Sequence, residues 1–232
     1  MNRKNITRSI IPFLVVCIML LLTYWGNQWY SEAKGIVGYD LSIIFLKFNQ
    51  AVPFFAYSFY PYVLSYPFWI FTFFYVGYRS KDNLYFLLLM ILVTFTICGL
   101  SYFFFQTDVS AWRESSGLFG QTDLTLTERF VLALYASAGP RNANPSMHCL
   151  MSWLCILTTR MDKKMPVGMK VFMWVMGIAI CVSTQLLKQH YIIDLITGIA
   201  LAEAAYWIFR KSPAIGALER FFTGINVKLR LE

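Results

Sequence analysis

Five stretches of this sequence, 17 to 26 residues long, carry no Asp, Glu, Lys or Arg: Ser9–Ser31, Pro53–Tyr78, Leu84–Gln106, Asn142–Thr159 and Val171–Leu187. A bilayer crossing needs about 20 predominantly apolar residues. A sixth stretch, His190 to Phe209, has that length although Asp194 and Glu203 lie inside it. Charged residues make up 14% of the chain and hydrophobic ones 58%, against roughly 25% charged in an average soluble domain. A soluble globular domain and a disordered chain are both excluded on that balance. The five cysteines, 17, 98, 149, 155 and 181, each sit inside an apolar run, so they read as free thiols rather than a disulfide framework. The expected fold class is all-α, a polytopic membrane helical bundle with six transmembrane helices in a single membrane domain over residues 1–232. Its crossings are expected at about 9–30, 53–78, 84–106, 145–160, 170–187 and 190–209.

The formal charge of +8 would also suit a nucleic-acid binder, so the placement of the basic residues decides. With six crossings, fourteen of the 20 Lys and Arg fall on the side that holds both termini, from Arg3, Lys4 and Arg8 to Arg220, Lys228 and Arg230. The positive-inside rule then puts the termini in the cytoplasm of a cell-membrane protein, and no nucleic-acid partner is expected. The first crossing has a basic start but no small-residue cleavage site after Leu22, so it reads as a retained anchor. Residues 107–141 form the longest outer loop, within which Phe130 to Ala138 suits a short helix capped by Thr127. Gly35 to Gln50 mixes apolar residues with Asp40 and Lys47 and suits an amphipathic piece at the outer surface. The tail 212–232 alternates Phe221, Phe222 and Ile225 with Arg220 and Lys228, as an interfacial cytoplasmic helix would.

The chain has two histidines, and this topology puts both at the outer ends of crossings. His148 follows Asn144-Pro145-Ser146-Met147, where Asn as N-cap and Pro as first helical residue predict a helix from Pro145. The free amides of that helix start, its positive dipole end and the Ser146 hydroxyl suit a phosphate. His190 and Asp194 are four residues apart, which on a helix brings them together. A carboxylate on one ring nitrogen fixes the tautomer and leaves the other nitrogen free to attack an electrophile. Lys188 and Arg141 add cations beside the two histidines, with Arg113 of the same outer loop as a third and Ser183 as a further phosphate donor.

These blocks resemble the type 2 phosphatidic acid phosphatase superfamily, whose signature is Lys-x6-Arg-Pro, Pro-Ser-Gly-His and Ser-Arg-x5-His-x3-Asp. Pro145-Ser146-Met147-His148 matches the second block with Met147 for Gly. Ser183 through His190 to Asp194 keeps the spacing of the third with Thr184 for Arg. The first block is not recognisable, and Arg113 stands nearest its expected place. Gln189 to Asp194 is also similar to the branch of inositol and choline phosphoryl transferases that act on ceramide. The resemblance implies His190 as a nucleophile forming a phosphohistidine, Asp194 as its partner, and His148 as the acid that protonates the leaving oxygen. It also implies no cofactor.

A metal site on His148, His190 and Asp194 is the sharpest rival, but Lys188 and Arg141 would repel a cation, so no metal is expected. Glu203 lies seven residues before Arg210 and is expected to pair or snorkel there. A fourth crossing of 15 residues, Pro145 to Thr159, spans about 22 Å of a hydrocarbon core of about 30 Å, so its start should be recessed and a membrane lipid is the expected substrate. Hydrolysis of a lipid phosphate is the first reading and transfer to an alcohol the alternative. The non-enzyme alternative is a transporter or structural subunit using the His–Asp pair as a proton relay.

Overall fold

The computed structural model describes residues 4–231, so Arg3, counted above in the basic N-terminal flank, lies outside the described residues. Helices make up the architecture, and the described residues contain no strand, only isolated bridges between Tyr39 and Thr107 and between Asp108 and Arg141. Four helices are long and apolar enough to cross a membrane: α1, Ile10–Ala33; α5, Lys81–Phe104; α9, Val167–Leu186; and α10, Ile192–Phe209. On α9, Val171, Val175, Ile178 and Val182 are exposed at helical spacing, an apolar stripe of the kind a membrane-spanning helix turns outward. α5 is the reverse case: every residue from Leu84 to Ile91 is buried, because α1, α10 and three further helices surround it.

Between α1 and α5 lie α2, Leu46–Ala51; α3, Phe59–Val63; and α4, Ser65–Arg79. The expected single helix over 53–78 is therefore interrupted. Pro67 has no N–H to give the Val63 carbonyl, and the chain bends at Leu64, where ψ is −10°. The outer loop holds α6, Ser110–Glu114, and α7, Leu126–Ala138. α7 starts earlier than expected and is capped by Thr125, not Thr127, because Thr125 and Glu128 close a capping box. Thr127 instead meets the Tyr60 hydroxyl at 3.2 Å.

α8, Met147–Met161, and α4 are 15 residues each, about 22 Å of helix, so neither alone covers the full depth of a hydrocarbon core of about 30 Å. α8 begins two residues after the expected Pro145. Ser146 is its cap and accepts from the Cys149 amide at 3.3 Å, while Asn144 turns to other partners. α10 lies so close to this start that a Cβ on Gly198 would sit 2.7 Å from the Ser146 carbonyl oxygen. Glycine is what allows that approach.

Ion pairs gather at the other end of the bundle. Arg79 bonds Asp162 and donates to the Lys164 carbonyl at 3.0 Å; the guanidinium holds the Asp162 carboxyl below its usual range. Glu203 pairs with Arg160 at 2.7 Å and accepts from Trp153 at 2.8 Å and Trp207 at 3.2 Å. The expected partner Arg210 lies over the Trp207 ring instead. Glu203 reaches the facing helix because Arg160 ends α8 at its own depth. The tail forms α11, Ala214–Lys228, which stacks Phe222 on Tyr85 of α5 and donates from Asn226 to the Arg8 carbonyl at 3.1 Å.

Candidate active site

His148 is the second residue of α8, and its backbone is set by the Ser146 cap. Its ring stacks on Tyr62 of α3, with centroids 4.2 Å apart, and contacts Trp69 of α4 at 5.1 Å. Nδ1 faces the Tyr62 hydroxyl at 3.5 Å, whereas Nε2 is buried with no hydrogen-bond partner. A buried polar atom of this kind costs about 1–3 kcal/mol when left unmade.

His190 stands in the turn between α9 and α10, a tight reversal held by the Leu187, Lys188 and Gln189 amides and by Lys188 in the left-handed region, at φ 53°. Its ring lies 6.4 Å from that of His148, centroid to centroid. Nδ1 is 3.0 Å from the Ala143 carbonyl oxygen and 3.6 Å from Oδ2 of Asp194. A carbonyl only accepts, so the contact fixes the proton on Nδ1 and leaves the lone pair of a neutral ring on Nε2. The ring's direct partner is therefore Ala143, with Asp194 one step behind. His190 precedes α10, so the helical i, i+4 geometry expected for the pair does not apply. Asp194, fully buried, spends Oδ2 on the Tyr191 amide at 2.8 Å and Oδ1 on Asn144 Nδ2 at 3.0 Å.

What fixes Ala143 is a buried polar clamp from the end of α5. The Thr107 hydroxyl accepts from the amides of Ala143 and Asn144, each at 3.0 Å. Gln106 accepts from the Asn142 amide with Oε1 and donates with Nε2 to the Asn142 side chain and to Ser31, all at 2.8 Å. Asn142 in turn donates to the Tyr24 carbonyl at 2.8 Å. That carbonyl belongs to a π-helical turn of α1, Leu21–Trp25, where the looser ladder frees carbonyls for outside partners. Ser101 and Tyr102 of α5 add bonds to the carbonyls of Asn144 and Pro145.

The expected cations divide. Arg113, 5% exposed, donates to the Tyr135 carbonyl at 3.0 Å and to Gln189, next to His190, at 2.5 Å; its Nε has no partner. Arg141 is half-buried, precedes the clamped segment, and also has an unpartnered buried Nε. Lys188 donates to the Val52 carbonyl at 2.5 Å and lies 3.6 Å from the Trp112 ring centre; burial pulls its ammonium down to about 8. Trp112 donates to the His190 carbonyl at 3.2 Å, so Lys188 and Trp112 together brace the His190 turn. The Ser183 hydroxyl is bonded to the Ile180 carbonyl within its own helix, and Ser183 lines a separate groove with Phe55 and Ser58. Among the described residues, no three His, Cys, Asp or Glu side chains come together as a metal ion requires.

His148 also borders a chamber of about 360 Å³ between α1 and α4. Cys17, Leu20, Tyr24 and Trp25 form one wall, Tyr66, Trp69, Ile70 and Phe73 the other, and Met147 and Met151 the back. The rim residues Tyr66 and Ile70 are 42% and 45% exposed, so the chamber opens sideways, toward the region lipid would occupy.

Sequence reasoning named the histidines and Asp194 but missed Tyr62, Gln106, Thr107 and the Ala143 carbonyl. Those partners lie 36 to 86 residues from what they hold, and a carbonyl leaves no trace in side-chain pattern. Comparison with known proteins adds one finding: the family model described as PAP2 superfamily matches residues 32–208, more than half of the chain. No curated protein and no solved structure matches.

Proposed function

The chain belongs to the PAP2 superfamily, whose members are generally phosphatases or phosphotransferases, and from that premise we propose that it is a membrane lipid phosphatase with His190 as nucleophile. The observation that carries the reading is the pair of rings 6.4 Å apart, one with Nδ1 tied to a carbonyl and the other with Nε2 unpartnered. That arrangement suits in-line displacement at a phosphoryl group held between them.

In the proposed reaction His190 Nε2 forms a bond to phosphorus as the bond from phosphorus to the lipid oxygen breaks. The electron pair goes to that oxygen, which takes a proton from Nε2 of His148. The phosphorylated ring is cationic, and the Ala143 carbonyl and the Asp194 carboxylate on its Nδ1 side stabilise it. Water then attacks phosphorus and gives one proton to His148 as the bond from phosphorus to Nε2 breaks and its electron pair returns to the ring, which releases phosphate and neutral His190. Arg113 and Arg141, each with an orphaned Nε, are assigned to the phosphate oxygens, with the Ser146 hydroxyl at the helix start. Lys188 is assigned to bracing the turn. No cofactor takes part.

We assign six crossings, with α4 and α8 as short, recessed ones, both termini cytoplasmic and the histidines near the outer surface, following the fourteen-to-six split of basic residues. The test is phosphate release from a panel of lipid phosphates by the purified wild type and by His190→Ala and His148→Gln. Release by wild type, its loss in His190→Ala, and a reduction of roughly 100- to 10,000-fold in His148→Gln are expected. No release from any lipid, with new lipids formed on adding alcohols, would replace hydrolysis by transfer. Undiminished release by His190→Ala would remove the nucleophile assignment.

A further inference from the structure

We infer that the chamber between α1 and α4 is a ruler for one unbranched hydrocarbon chain on the leaving half of the substrate lipid, with its length limit set by a floor at Phe13 and Phe73. The inference rests on the reading of His148 as the group facing the leaving oxygen. Three observations support it.

First, the chamber is lined mostly by carbon, with Phe13, Val16, Leu20, Phe73 and Met151 along it and His148 on its border, so it matches an occupant that is hydrocarbon along its length and carries its polar end beside His148. The leaving half of the lipid has that pattern. Second, the chamber is closed below: Phe13 meets Phe73 and Phe74 with ring centroids 5.8 Å and 5.2 Å apart, and Arg8 Nε clasps the Gly77 carbonyl at 2.9 Å. Third, the wall from Trp25 down to Phe13 is twelve helical residues, about 18 Å, close to half of a hydrocarbon core of about 30 Å. A chain the length of one leaflet fits that depth, and a polyisoprenyl chain that would cross both leaflets meets the floor.

Cys17, on α1 two turns below Trp25, reports occupancy without any turnover. It is the half-exposed one of the five cysteines; the other four are buried. The purified full chain is treated with N-ethylmaleimide in detergent, alone or with octyl, dodecyl, hexadecyl or eicosyl phosphonate, which cannot be hydrolysed. Labelling of Cys17 is expected to persist with the octyl compound and to be lost with the dodecyl and hexadecyl ones. The eicosyl compound should protect less than the hexadecyl in wild type and equally well in Phe73→Ala. Equal protection by octyl and hexadecyl chains, or none by any, would overturn the ruler. If Phe73→Ala does not fold, the wild-type chain-length series still decides. Protection in this pattern with no phosphate release from any lipid would end the hydrolase reading and leave the chain site standing; release with no protection would do the opposite.

Discussion

Replacing Thr107 with valine keeps the side-chain shape and removes one oxygen, which isolates the clamp behind His190. In the wild type that oxygen accepts two amides at 3.0 Å, those of Ala143, 1% exposed, and of half-buried Asn144. Each amide left buried and unbonded costs about 1–3 kcal/mol. The Ala143 amide loses its partner in full, and water can reach the Asn144 amide, so the expected loss is about 2–3 kcal/mol. Relaxation of residues 142–144 moves the carbonyl that orients His190, and a displacement of about 1 Å at a reacting group can lower rate about 100-fold. Thr107→Val should therefore lower the thermal midpoint in detergent and cut kcat for lipid-phosphate hydrolysis by roughly 10- to 100-fold, with KM little changed. Thr107→Ser, which keeps the acceptor, should restore most of both. A valine variant that melts lower but turns over at the wild-type rate would refute the link from Thr107 through Ala143 to the histidine.

Gly198→Ala should lose activity and stability together, because the new Cβ would stand 2.7 Å from the Ser146 carbonyl and must push α10 off the start of α8; unchanged activity and melting would contradict that packing. Glu203→Gln, at the opposite end of the bundle, should lose about 1 kcal/mol or less from a half-exposed ion pair and leave kcat and KM at wild-type values, checked by melting and steady-state assays. Lys188 gives a pH signature. Its folded-state value of about 8 lies below the unfolded value of about 10.4, so between the two the unfolded chain binds more protons and this group's contribution raises stability with pH. The melting-point difference between wild type and Lys188→Met should move in favour of wild type as pH rises through about 8 and level off near 10; a flat or opposite trend would count against the buried position of the ammonium.

The sequence pattern was most legible where partners are close in the chain. The apolar stretches mark α1, α5, α9 and α10, whereas the spacing of His190 and Asp194 suggests one helical face and the two instead lie on either side of the start of α10, with Nδ1 and Oδ2 3.6 Å apart. The cap of α8 is Ser146, two residues past the Asn144 that the sequence suggests, because the two are equally good caps by type. What separates them is tertiary: Asn144 is drawn to Asp194 and Thr197, 50 and 53 residues away, leaving Ser146 to cap. The interruption near Leu64 is visible in hindsight in Pro61 and Pro67, which an apolarity count does not weigh. Sequence spacing pairs Glu203 with Arg210, just past the end of its own helix, yet its partner is Arg160 on the facing helix, at 2.7 Å. The clamp from Gln106 and Thr107 had no signature, because uncharged polar residues at the end of an apolar run look like any helix terminus.

In the proposed reaction the phosphoryl group passes through His190. The direct measurement is to mix the purified protein with a lipid carrying a labelled terminal phosphate, stop the reaction within one turnover in alkali, where phosphohistidine survives, and map the label by peptide mass spectrometry. Label is expected on His190 in wild type, in greater amount in His148→Gln, where water activation is slowed, and not at all in His190→Ala. Label on another residue, such as the neighbouring Cys149, or steady turnover by His190→Ala, would contradict it.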